Sequence, residues 1–332
     1  MCPTEERIER ISLRKPEQCI RTMAVKFCFR LPRQSSSPVL TNGLEYKVES
    51  SQATVLLIHG LTGTTNEMKG LANFFYRRGY SVLCPRLAHH GESLHILRRA
   101  KWQEFYRSVK EALSKIPSDQ KIFTAGLSMG ALLALLLAEE FPERISGVTG
   151  LSPTLFYDGW NIPWSHCLLP LAYYTPIRYF TYFKEEPPYG IKNERIRSRV
   201  HEYYKNASLA DVSEAAQYGY PYFPVTLLCE LHLLIRELMK KMSRITAPVQ
   251  LIQASEDDMT SVKNSQFIYD HVASTQKEIV LLHDSYHVIT ADQERRTVAQ
   301  KMNEFFCRIQ GIQPGETLNG EEEREEDACR PA

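Results

Sequence analysis

The chain has 332 residues, 43% of them hydrophobic and 24% charged, with a formal net charge of +1. That length supports one large domain with its own core, and a charge so near zero excludes the attraction on which phosphate-backbone binding depends, so no nucleic-acid partner is expected. The longest apolar run, Ala131 to Ala138, spans eight residues, far short of the roughly 20 that a membrane-spanning helix needs.

Residues 1–44 are polar and mildly basic and contain the loop-favouring stretch RQSSSPVLTNG, so they read as an N-terminal arm. The start, MCPTEERIERISLRKPEQ, alternates acids and bases where an export signal carries an apolar core. Between Arg7 and Arg33 the arm holds Arg7, Arg10, Arg14, Lys15, Arg21, Lys26, Arg30 and Arg33 against Glu9 and Glu17, with scattered Ile, Phe and Leu. That is the composition of a solvated arm, and also of a peripheral membrane contact.

From residue 45 onward, short β-branched runs alternate with helical patterns, the sequence form of βαβ units and a mostly parallel sheet. Strands are predicted at Thr54 to Ile58, Ser81 to Cys84, Lys121 to Ala125, Ile145 to Leu151, Val249 to Ala254 and Glu278 to Leu282. Helices are predicted near 65–79, 103–116, 128–141, 261–272 and 292–309. The α/β rhythm thus occupies 45–152 and 247–310. Between them, residues 153–246 show no clean strand, and 17 of the chain's 34 aromatic residues fall between Phe156 and Phe223. Such a segment reads as an inserted helical cap; Leu228, Leu231, Ile235, Leu238 and Met242 give one of its helices an apolar face. Residues 311–332 concentrate acids with almost no apolar side chains and are expected to be a disordered tail.

The chemistry gathers around Gly126-Leu127-Ser128-Met129-Gly130, a G-x-S-x-G placed between an apolar strand and an apolar helix. In that setting the serine sits on a sharp strand-to-helix turn with its hydroxyl exposed above the sheet. A serine is a poor nucleophile at its free pKa and requires a histidine base oriented by an acid. In this architecture the chain order is serine, acid, histidine. VQLIQASEDDMTS puts Asp257 and Asp258 just beyond a strand, and IVLLHDSYHVITADQE puts His283 and His287 at and beyond the next. His283 adjoins the strand end, whereas His287 lies in the loop and is the favoured base. Asp257 and Asp258 differ by one step, and the residues alone leave that choice open.

An oxyanion needs two amide donors, here expected from Met129 and from Leu61, which follows His59-Gly60 in HGLTG. His59 reads as a loop-orienting side chain. HHGESLH offers His89, His90 and His95 without a complementary carboxylate pattern, so no metal is expected there. His287 to Asp292 also spells H-x4-D, a chance likeness to a glycerolipid acyltransferase motif. The eight cysteines show no C-x-x-C pairing; they read as reduced thiols of a cytoplasmic protein. The sequon Asn206-Ala207-Ser208 is therefore expected to remain unmodified.

Four stretches, HGLTGT at 59–64, PRLAHHGES at 85–93, GLSMG at 126–130 and STQKEIVLLHDSYHVITAD at 274–292, make the chain resemble the bacterial monoacylglycerol lipases and carboxylesterases of the α/β-hydrolase superfamily. The resemblance spans about residues 52 to 308. It implies an α/β-hydrolase fold and hydrolysis of esters of a single acyl chain through an acyl-enzyme, with no cofactor or metal. It places the catalytic aspartate at Asp257 beside Ser128 and His287, with the amides of Leu61 and Met129 as the oxyanion hole. The aromatic residues Phe156, Tyr157, Trp160 and Trp164 at the start of the cap are expected to hold the acyl chain. Rival readings are a serine acyltransferase or thioesterase on the same scaffold, or a non-catalytic binding protein.

Overall fold

The computed structural model describes residues 26–27, 43–206 and 219–313. The rest of the arm, the last two residues of the sequon and most of the acidic tail lie outside the described residues, as does the expected lipid contact of the arm.

Strands run along the chain as β1 (Lys26–Phe27), β2 (Leu44–Tyr46), β3 (Ala53–Ile58), β4 (Ser81–Cys84), β5 (Lys121–Leu127), β6 (Ile145–Leu151), β7 (Thr181–Lys184), β8 (Tyr222–Pro224), β9 (Val249–Ala254) and β10 (Lys277–Leu282). Helices are α1 (Lys69–Arg77), α2 (Leu94–Leu97), α3 (Trp102–Ser114), α4 (Met129–Glu140), α5 (Leu169–Tyr173), α6 (Glu194–Asn206), α7 (Val225–Lys241), α8 (Lys263–His271) and α9 (Arg295–Gln310). The apolar runs of the sequence become one seven-stranded sheet in the order β10-β9-β6-β5-β3-β4-β2. Every pairing in it is parallel except β2 with β4.

The two-residue alternation of a strand sends Leu56 and Ile58 to one face and Val55 and Leu57 to the other. Helices α3, α4 and α7 cover the first face; α1 and α9 cover the second, where Phe75, Phe123 and Phe306 meet. Residues Met129 to Ala138 of α4 are buried on every side. A helix apolar all round must be enclosed, and α7 provides the outer cover, with Leu228, Leu231, Ile235 and Leu238 buried in the same cluster.

The segment 153–246 differs from the expectation of no clean strand. It contains two short strands: β7 and β8 pair antiparallel, and β1, from the N-terminal arm, adds to the free edge of β7 with Phe27 opposite Thr181. Three- and four-residue strands flanked by Pro and Tyr carry too little alternation to be read from sequence. No helix among the described residues is long and apolar enough to cross a membrane.

Candidate active site

The chain reverses the neighbourhood of its strand order around β5, so the loops beyond the carboxyl ends of β3, β5, β6, β9 and β10 face one crevice. Ser128 stands between β5 and α4 with φ 56° and ψ −114°, a left-handed conformation rare for a side-chain-bearing residue. The Ser128 amide donates to Leu151 O at 2.8 Å, which pins the turn to β6. Only glycines fit around it. A Cβ on Gly126 would sit 2.1 Å from the Gly130 carbonyl, and one on Gly130 would sit 2.2 Å from Ile58 O. Met129, the first residue of α4, contributes one of the amides that a helix N-terminus leaves without an intrahelical partner.

His287 lies in the loop between β10 and α9, 4% exposed, with Nδ1 2.9 Å from Asp257 Oδ2 and 3.1 Å from Oδ1. Asp257 is held in turn by the amides of Met259 at 2.9 Å and Thr260 at 2.8 Å, by the Thr260 hydroxyl at 3.1 Å and by Gln253 Nε2 at 2.7 Å. A carboxylate at Nδ1 selects the tautomer with Nδ1–H and leaves Nε2 as the basic atom. Burial works to lower the His287 pKa, but the charge and hydrogen bond of Asp257, with Asp258 and Glu67 adding to them, outweigh it and raise the pKa above 6.5. Asp258 points elsewhere: Oδ1 accepts the His287 amide at 3.3 Å and Oδ2 the Gly190 amide at 3.2 Å. Burial, with the neighbouring Asp257 charge, pushes the Asp258 pKa up to about 6.

The loop after β3 is fixed by two histidines. His59 Nε2 accepts the Leu87 amide at 3.2 Å, so its proton is on Nδ1 and is donated to Gly60 O at 2.9 Å. His90 Nε2 donates to Leu61 O at 2.8 Å. Burial holds the His59 pKa well below the usual imidazole value and that of His90 at about 4, so both act as neutral struts. Tyr220, from the insertion, donates its amide to Thr62 O at 2.9 Å. His283 is exposed beyond β10, and His89 pairs with Glu92 and Glu104. Among the described residues no three His, Cys, Asp or Glu side chains gather as a metal would require.

Ser128, Leu61 and His287 line one open cavity. Of the four aromatic residues expected to hold an acyl chain, Tyr157 lines it. Phe156 packs edge-on against Phe267, Trp160 donates Nε1 to Glu256 O and stacks beside Tyr286, and Trp164 is 74% exposed. An adjoining apolar cleft shares Tyr157, Glu185, Tyr189, Phe223 and Met259 with the first and extends past Ile162, Leu169, Phe183 and Leu228.

Sequence reasoning missed three groups here. Thr154 Oγ1 lies 2.8 Å from Ser128 Oγ. Glu67 accepts the Gly60 amide at 3.2 Å, and burial pushes its pKa up to about 7. Burial, then the Asp258 charge, pushes that of Glu185 up to about 8, against a hydrogen bond from Tyr204. No motif marks these residues, because Glu67 and Glu185 reach the cavity, and Thr154 reaches Ser128, by packing alone. The H-x4-D likeness also resolves physically: Asp292 accepts the amides of Tyr286, Lys192 and Asn193, each at 2.8 Å, and clamps the insertion to the histidine loop.

The family model described as serine aminopeptidase, S33 matches residues 49–294. A thermostable monoacylglycerol lipase of Bacillus sp. (strain H-257) is 32% identical over 275 residues, 82% of this chain and 98% of the other. A carboxylesterase of Bacillus subtilis (strain 168) is 24% identical over 266 residues, covering 80% and 96% of the two chains. Among solved structures, one described under LipS and LipT, two metagenome-derived lipolytic enzymes, superposes with a TM-score of 0.65 at 25% identity over 81% of this chain and 97% of that one. With the doubly covered parallel sheet and a serine on the turn after its central strand, these matches show that the chain belongs to the serine aminopeptidase, S33 family of α/β-hydrolases.

Proposed function

We propose that this chain hydrolyses a carboxylic ester of a single acyl chain, a monoacylglycerol or a similar lipid ester, through an acyl-enzyme on Ser128. The chain is a serine ester hydrolase, as its family and relatives indicate; the substrate class and the residue roles are our reading. His287 Nε2 takes the Ser128 proton as Oγ attacks the ester carbonyl, then returns it to the leaving alcohol. A water repeats the sequence on the acyl-enzyme. Asp257 holds the imidazole in the required tautomer, and the amides of Leu61 and Met129 receive the oxyanion.

The observation that carries this reading is the Asp257–His287 pair, 2.9 Å apart, with His287 lining the same cavity as the strained Ser128. The adjoining apolar cavity supports a single acyl chain, at about 0.8 kcal/mol for each methylene buried. Cys84 and Cys229 are buried free thiols, in keeping with a cytoplasmic setting.

Rates on p-nitrophenyl esters of increasing chain length test the proposal: kcat/KM should rise with length and then level off where the cavity is filled. Ser128→Ala should abolish turnover and fluorophosphonate labelling while the protein stays folded. Residual activity in that variant overturns the assignment, and a flat chain-length profile overturns the lipid substrate.

A further inference from the structure

Consecutive peptide planes in the loop after β3 are each held by a different group. The His59–Gly60 plane gives its N–H to Glu67 Oε2 at 3.2 Å. The carbonyl of the Gly60–Leu61 plane is bonded to His59 Nδ1, that of Leu61–Thr62 to His90 Nε2, and that of Thr62–Gly63 to the Tyr220 amide. A peptide unit is rigid, with its N–H and C=O pointing opposite ways, so holding these planes fixes the direction of the Leu61 N–H. Of these holders, Glu67 is the one that lines the cavity of Ser128 and His287.

Glu67 is itself set in place by the chain that follows the loop. Residues Thr65–Met68 form a single 3₁₀ turn, in which Thr64 Oγ1 accepts the Asn66 amide at 3.3 Å and Thr64 O the Glu67 amide at 3.1 Å, and fully buried Met68 roots it in the core. From this turn the carboxyl folds back over the loop into the space beside Gly63. A Cβ on Gly63 would stand 2.0 Å from Glu67 Oε2 and 2.2 Å from Cδ, and its three nearest neighbours would all be atoms of that carboxyl. Gly63 has no positive φ, so glycine serves here for room and not for conformation. Gly63 and Glu67 are an interlocked pair.

We propose that Glu67 is a positioning residue of the oxyanion hole, its carboxyl holding the Gly60 amide so that the Leu61 amide keeps its aim at the reacting carbonyl oxygen. This rests on the hydrolase reading, in which alone the Leu61 amide has that role. Charge is not the means. Glu67 lies near enough to His287 for the two charges to act on each other, but the transition state joins an oxyanion to an imidazolium, and an ionised carboxyl disfavours the one as it favours the other. The bond to Gly60 suffers no such cancellation, because a carboxyl oxygen accepts an amide in either protonation state.

In the full-length chain, Glu67→Ala should lower kcat on a soluble p-nitrophenyl ester by about tenfold or more, short of the roughly hundredfold that follows outright loss of an oxyanion donor. KM should stay within about twofold, because the aim of the amide matters only once the oxyanion forms. Affinity for a trifluoromethyl ketone should fall in step with kcat, since in its adduct Ser128 Oγ bonds the carbonyl carbon, the proton passes to His287 and the oxygen stays charged. Glu67→Gln, which keeps an acceptor oxygen, should recover most of the loss. Gly63→Ala pushes the same carboxyl aside and should reproduce the fall in kcat; combined with Glu67→Ala it should add little, since clash and clamp are then both gone. If Glu67→Ala does not fold, Gly63→Ala carries the test, because its methyl displaces only the end of a flexible side chain. Full kcat and ketone affinity in the variant that folds, or additive losses in the double variant, overturn the role of Glu67 and leave the hydrolase reading intact. So does a KM that rises as far as kcat falls, because the carboxyl then serves substrate binding. A parent that neither turns over esters nor binds the ketone overturns the hydrolase reading, and the role of Glu67 with it.

Discussion

The resting hydroxyl of Ser128 is hydrogen-bonded to Thr154, which is 1% exposed. In the proposed mechanism Oγ becomes more negative as it gives its proton to His287, and a Thr154 hydroxyl donating to it would stabilise that charge before the oxyanion amides engage. Thr154→Val should therefore lower kcat/KM by about three- to tenfold, the worth of one such bond, and Thr154→Ser should restore it. An unchanged rate of fluorophosphonate labelling in the valine variant would show the contact to be idle.

The two aspartates call for a different comparison. Asp257 meets the imidazole and Asp258 meets only backbone amides, so Asp257→Asn should cost about a thousandfold or more in kcat by favouring the wrong tautomer. Asp258→Asn keeps an amide carbonyl as acceptor and should cost far less. Catalysis needs neutral His287, whose pKa is raised, so the acid limb of kcat/KM should fall above pH 6.5 in the parent and move down in Asp257→Asn, where the stabilising charge is gone. A limb that stays in place would separate Asp257 from the base. The sequence presented the serine and the histidine through their motifs, but adjacent aspartates differ only in direction, and that is set by the turn after β9.

At the scale of elements, the central strands were legible because burial on both faces forces continuous β-branched and leucine runs. Ser81–Cys84, Ile145–Leu151 and Val249–Ala254 fall where the pattern puts them. The three-residue edge strand β2 and the insertion's small sheet were not legible, since tertiary pairing rather than alternation creates them. The joint between β5 and α4 is where local sequence and packing agree most closely. Gly130 lets the first turn of α4 lie against the carbonyls of Ile58 and His59, 2.2 and 2.7 Å from where a Cβ would stand. These are backbone atoms of the strand that leads into the Leu61 loop, and they yield only if the strand moves. Gly130→Ala should thus cost about 1–3 kcal/mol of stability and, by pushing that loop outward, lower kcat more than it raises KM. Thermal unfolding beside steady-state kinetics checks both halves. Normal kcat in a destabilised protein would mean that the loop does not follow the strand.

Across the whole molecule, the cavity gathers groups that all prefer to keep a proton. Burial raises Glu67 to about 7 and Glu185 to about 8, and the carboxylates around His287 raise its pKa as well. For each of these the folded chain holds protons that the unfolded chain has released, so stability falls as pH rises through the folded values. Buried His59 and His90 have the opposite sign: their pKa values are lowered, and the stability they contribute is lost as pH falls below 6.5. The two sets cross near the ordinary imidazole value, and above it only the first remains. The melting temperature of the free protein should therefore drop between about pH 6.5 and about pH 8.5, over the same interval in which deprotonation of His287 raises kcat/KM. Glu185→Gln removes the carboxyl with the highest of these values and should flatten the decline while sparing the kinetic limb. If melting is level across that interval in the parent, or the glutamine variant still falls as steeply, the protons are not held by the cavity, and the opposition between stability and activity has another source.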